Sequence, residues 1–171
     1  MSGRLIVVSG LPGVGKSEAA RRVAAALRAV HLSIDPVEEA LLSTGLAPGW
    51  TTGVAAYEAV RAAAESNLSL GLTVVVDAVN DSEPARETWR RASASTLAPV
   101  HWVMISCSDA GEHRRRLEGR ERGLSHVVEP TWEEVRNLAA EYALWTGPLL
   151  RIESARKGAD DVAAEILEAL S

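Results

Sequence analysis

The stretch Gly10-Leu11-Pro12-Gly13-Val14-Gly15-Lys16-Ser17 follows the apolar run Leu5-Ile6-Val7-Val8 and opens a segment with helical spacing. Strand, glycine loop and helix thus come in the order that a phosphate-binding loop requires. Gly10, Gly13 and Gly15 free the backbone to curl its N–H groups around phosphate oxygens where a Cβ would intrude, and the next helix aims its positive end into the same nest. Lys16 is placed to reach the β- and γ-phosphates, and the Ser17 hydroxyl to sit on a Mg²⁺ ion that bridges them. A glycine turn between strand and helix can be purely structural. Against that reading, only two of the 18 basic residues are lysines, Lys16 and Lys157, so a lysine at the required offset is not a by-product of composition.

Downstream, short β-branched runs alternate with helical spacing. The first helix carries Val23, Leu27 and Val30 and runs to about His31. Leu32-Ser33-Ile34 is a strand candidate, and Val37 to Leu42 gives a brief helix. Thr44 to Gly53 reads as irregular, with Trp50 its one large side chain. An alanine-rich helix from about Gly53 to Leu70 leads to Leu72–Asp77, a strand buried on both faces. Helices follow at Asp81–Thr96, from Asp109, at Thr131–Trp145 and at Asp160–Leu170, with strands at Val100–Ser106 and Leu149–Ile152. The alternation predicts an α/β fold: a parallel sheet with helices on both faces.

At 171 residues the chain is expected to form one domain over 1–171, large enough to need neither disulfide nor metal for stability. The lone Cys107 excludes an internal disulfide, and His31, His101, His113 and His126 have no metal-ligand spacing. No leader and no apolar run approaching a membrane span is found, so a cytoplasmic location without a membrane partner is expected. A net charge of −5 argues against nucleic acid as a partner.

Asp77 ends the most apolar strand and fits the magnesium-holding position that complements Ser17, where an aspartate that merely ends a strand is the alternative. Asp35 lies beyond the second strand, suited to take a proton from an acceptor hydroxyl. Yet Asp35-x-x-Glu38 with Pro36 is also spelled like a helix cap, as are Asp109-x-x-Glu112 and Thr131-x-x-Glu134, and the two readings stay open. Arg114 and Arg115 read as a solvated face. Arg116 and Arg120 share a face, with Arg122 just beyond, beside a segment at about 120–131 able to move as a lid, so guanidinium groups there are candidates for stabilising a transferring phosphoryl group. Trp50 and Tyr57 are the aromatics considered for stacking on substrate, with core packing the alternative for Tyr57.

Gly10-x-x-x-x-Gly-Lys-Ser17, Ser-Ile-Asp35, Val-Val-Val-Asp77-Ala-Val-Asn80, Arg116-x-x-x-Arg120 and Thr131-Trp-Glu-Glu ahead of Tyr142 and Trp145 occur in an order that resembles the small P-loop kinases. Within these it is similar to the group of chloramphenicol phosphotransferase and the kinase domain of polynucleotide 5′-kinases. The resemblance implies a three-layer fold with sheet order 2-3-1-4-5, ATP with Mg²⁺ as donor, Asp35 as general base, and Arg116, Arg120 and Arg122 clamping the donor phosphates. It matches Asp77 and Asn80 to an Asp-x-x-Asn segment in which Asn80 touches the acceptor or fixes its loop. The loop Thr44 to Thr52 matches no acceptor pocket. The expected activity is transfer of the γ-phosphate to a hydroxyl of a small molecule such as an antibiotic, nucleoside or sugar. The alternatives are a polynucleotide 5′-hydroxyl kinase and an ATPase that hydrolyses without an acceptor.

Overall fold

The computed structural model describes residues 3–171. Its elements are β1 (Leu5–Ser9), α1 (Lys16–Leu27), β2 (Val30–Ser33), α2 (Ile34–Ser43), α3 (Trp50–Ser69), β3 (Val74–Ala78), α4 (Glu83–Thr96), β4 (Val100–Ser106), α5 (Ala110–Glu118), α6 (Trp132–Glu141), β5 (Leu150–Glu153) and α7 (Ala159–Ala169). The five strands form one parallel sheet in the order β2-β3-β1-β4-β5, as expected.

Side chains alternate across a strand, so a strand apolar at every position must be covered on both faces. On β1, Ile6 and Val8 pack with Val23 of α1 and Ile166 of α7, while Leu5 and Val7 face Val60 of α3 and Trp89 of α4. Val75 of β3 joins the first of these layers and Val74 and Val76 the second. The three layers leave the carboxyl ends of the strands as the open edge, where parallel α/β sheets bind ligands. Register sets Val8 and Ser33 beside Asp77, and Ser9 beside Ala78.

Several element boundaries differ from the periodicity, and α3 takes in Trp50–Gly53 from the stretch read as irregular. The first helix stops at Leu27, short of His31, because Arg28 turns left-handed at φ 51° and its N–H closes on the Ala24 and Ala25 carbonyls, which releases Val30 and His31 into β2. Ile34 accordingly opens α2 rather than ending a strand. The sixth helix ends at Glu141, not Trp145, because the next residues are captured by Arg86 of α4. That guanidinium is fully buried; it donates to the carbonyls of Ala143 (2.5 Å) and Leu144 (2.8 Å) and lies 3.9 Å from the Trp145 ring centre. Tyr142 donates its hydroxyl to the Val79 carbonyl. Helical hydrogen bonds are exchanged for tertiary ones that satisfy a buried cation.

The same guanidinium reaches the loop after β3, where Asn80 is fully buried at φ 53°. The Asn80 side chain donates to Ser9 Oγ (2.8 Å) and accepts from Trp89 Nε1 (2.7 Å). Asn80→Ala leaves the Trp89 N–H unpaired in the core and places a residue without asparagine's tolerance at positive φ. Chemical denaturation of that variant is expected to show a loss of about 2–4 kcal/mol, typical of a buried network losing one member in a strained backbone.

Candidate active site

Gly10, Gly13 and Gly15 all take positive φ in the loop between β1 and α1, the backbone form from which an anion-binding nest is built. Gly10 is required by crowding: at φ 151° a Cβ there would lie 2.5 Å from the Ile105 carbonyl oxygen. Gly13, at φ 88°, rides on α5, where a Cβ would sit 3.0 Å from Leu117 Cβ. The outward carbonyls are held from behind. His113 of α5, only 4% exposed, donates from Nε2 to the Pro12 carbonyl (2.8 Å), and Ser154 Oγ donates to the Val14 carbonyl (3.0 Å). The His113 ring packs edge-on against Trp132.

Lys16 begins α1 and is buried at 6% exposure, its Nζ 3.5 Å from the Leu11 carbonyl. Burial pulls its ammonium below the ordinary lysine value, while Asp35 and Asp77 pull it back up. Asp77, at 2% exposure, is held from three sides: Ser17 Oγ donates at 2.5 Å, His31 Nε2 at 2.7 Å and Ser33 Oγ at 3.1 Å. Burial raises the carboxyl, but the His31 and Ser17 bonds and the Lys16 charge outweigh it and keep Asp77 below the usual carboxylate range. An ionised carboxylate beside a hydroxyl is a pair of hard oxygen donors that fits Mg²⁺.

Asp35 does not cap α2. Ser33 holds the N-cap position and Asp35 lies inside the first turn without a capping bond, whereas Asp109 and Thr131 do cap α5 and α6. The Asp35 carboxylate instead pairs with Arg122, which also pairs with Glu129. Arg120 pairs with the same Glu129. Residues 120–131 form neither helix nor strand. Lys16, Ser17, Asp35, Arg116, Arg120 and Arg122 line one cleft of about 1050 Å³.

Arg116 lies at another part of that cleft from the Asp35–Arg122 pair. Its guanidinium donates to Glu112 (2.7 Å), the Ser154 carbonyl (3.0 Å) and the Lys157 carbonyl (3.2 Å), so it is tied to the loop after β5. Asn80 is corrected as a substrate contact, because full burial and its bonds to Ser9 and Trp89 make it the clasp of its loop. Tyr57 likewise packs on Trp89, accepts the Asn80 N–H (3.3 Å) and belongs to the core side of α3. Burial is the chief cause that raises its phenol out of the ordinary tyrosine range. Trp50 is 83% exposed at the start of α3 and does not line the cleft.

Sequence reasoning missed His31, Ser33, His113 and Ser154. The first two had a detectable signal: residues two apart on an edge strand share a face, here the one beside Asp77. The other two carry none, since they come from elements more than 100 residues further along.

The fold recurs in solved structures of low sequence identity. A sugar kinase from Janibacter sp. HTCC2649 is 15% identical with a TM-score of 0.71, covering 98% of this chain and 94% of that one. A gluconokinase from Sinorhizobium meliloti 1021 is 18% identical with a TM-score of 0.68, covering 99% and 91%. The APS kinase CysC of Mycobacterium tuberculosis, solved with AMPPNP and APS, is 19% identical with a TM-score of 0.73, covering 99% and 98%. No curated protein matches the sequence. The family profile described as an AAA domain matches residues 5–142, which include the glycine loop, Lys16, Asp35, Asp77 and the arginines of the cleft. With the P-loop kinase architecture and that match over most of its length, the chain belongs to the AAA domain family.

Proposed function

We propose that residues 1–171 act as one domain that transfers the γ-phosphate of ATP to a hydroxyl of a small molecule, with Mg²⁺ bound and Asp35 as general base. The observation that carries this reading is that Lys16, Ser17, Asp35 and the lid arginine Arg122 line one cleft, with Asp77 bonded to Ser17 at its floor. A carboxylate there is placed to take the proton of an acceptor hydroxyl, and the acceptor dependence of turnover separates this reading from hydrolysis.

In this mechanism the backbone N–H groups of the glycine loop and Lys16 hold the β- and γ-phosphates in line with the acceptor. Ser17 and Asp77 would hold the Mg²⁺, which supplies neutralisation of charge on the transferring oxygens when bound. His31 and Ser33 keep the Asp77 carboxylate oriented. The γ-phosphate draws Arg122 away from Asp35, which frees that carboxylate to accept the hydroxyl proton. The acceptor oxygen then bonds to the γ-phosphorus as the bond to the β,γ-bridging oxygen breaks, and ADP leaves with the proton on Asp35 passing to water. Arg120 and Arg122, on the lid at about 120–131, offset the charge that develops, and Arg116 lines the same cleft with the Lys157–Ala159 segment.

Sugars and sugar acids head the list of acceptors, in line with the sugar kinase and gluconokinase that share the fold. The deciding experiment is a labelled-ATP transfer screen against sugars, nucleosides, hydroxyl-bearing antibiotics and 5′-hydroxyl oligonucleotides. Label moving to a small alcohol is the expected result; ATP turnover indifferent to every acceptor overturns it. Lys16→Ala is expected to lower transfer by at least about 10³-fold with its unfolding transition retained, since it removes the main charge on the γ-phosphate. Asp35→Asn is expected to lower kcat by about 10²–10⁴-fold, the ordinary contribution of a general base. Its nucleotide affinity, measured by titration, should stay within about threefold, because the group acts on the acceptor.

A further inference from the structure

The lid is fastened at a second point that the phosphotransfer reading does not use. Glu39 lies one helical turn beyond Asp35 on α2, and its carboxylate faces the turn Ser125-His126-Val127. It accepts the backbone N–H of Ser125, of His126 and of Val127, each at 2.9 Å, and the His126 ring Nδ1–H at 2.8 Å. Three successive N–H groups converging on one anion form a nest, and Glu39 fills it with both oxygens. These contacts hold Glu39 at about 2, with the His126 bond the chief cause and the backbone N–H groups adding to it.

Asp35 and Glu39 therefore grip the lid differently. Asp35 takes a guanidinium, which a phosphate can also take. Glu39 takes backbone N–H groups of a turn that does not line the nucleotide cleft, so nucleotide has no means of replacing it. From this we infer that Glu39 is a positioning residue: it keeps the lid docked on α2 while Arg122 passes from Asp35 to the phosphate, and so holds Arg122 within reach of both. The inference rests on the proposed phosphotransfer only for its kinetic consequence.

Amide hydrogen exchange and steady-state kinetics on Glu39→Ala and Glu39→Gln test it. In the nucleotide-free protein, protection at residues 125–127 should fall by about tenfold or more in Glu39→Ala, and by less in Glu39→Gln, which keeps one acceptor oxygen. Protection of β1 and β3 should not change, which shows that the fold is intact. With a hydroxyl acceptor, kcat should fall by about tenfold while the KM for ATP stays within about threefold, a split expected of a group that positions the lid but does not bind nucleotide. Unchanged protection at 125–127 in Glu39→Ala overturns the inference, as does lost protection with kcat unaltered. If the wild-type protein transfers phosphate to no acceptor, the proposed function fails, and the exchange measurement still decides whether Glu39 docks the lid.

Discussion

A lysine and an aspartate are buried together at the open edge of the sheet, and the surrounding structure exists largely to make that tolerable. Lys16 and Asp77 are each nearly excluded from solvent, and isolated charges there would cost several kcal/mol apiece. They persist because each offsets the other and because Ser17, His31 and Ser33 saturate the carboxylate. The three donors come from α1 and β2, so the pair can form only when the β2-β3-β1 order is in place. The site is thereby a test of correct topology as well as a charge centre.

The glycine loop depends on neighbours in a complementary way. Its course is fixed from behind by two engaged carbonyls, Pro12 by His113 and Val14 by Ser154. Ser154 also accepts a hydrogen bond from Arg116, so the loop, α5 and the start of the β5–α7 connection form one hydrogen-bonded unit. Such backing preorganises donors that would otherwise have to be ordered by the ligand itself.

The lid segment carries matched charges. Arg120 and Arg122 share Glu129, Arg122 also meets Asp35, and Glu39 is saturated by the lid. An anion approaching Arg120 or Arg122 would therefore compete with Glu129 and Asp35, whereas Lys16, among the described residues, has only the Leu11 carbonyl within hydrogen-bonding distance of its ammonium. The acid partners are as much part of the site as the arginines.

The residues whose chemistry is local were legible in the chain. The glycine loop is read from spacing and backbone freedom, and the buried strands from uninterrupted β-branched runs, which is why the parallel α/β architecture followed from pattern alone. Asp77 was equally visible, because an acid closing such a run has only the sheet edge to occupy. Other features were decided by groups distant in sequence that meet only after packing. Arg86 cuts short the sixth helix, Trp89 and Ser9 turn Asn80 inward, and Arg122 gives Asp35 a partner where the spelling equally suited a cap. Local pattern encodes which backbone a segment prefers and which face is apolar. Where a polar side chain finds its partner depends on three-dimensional proximity, and that was settled only by the tertiary structure.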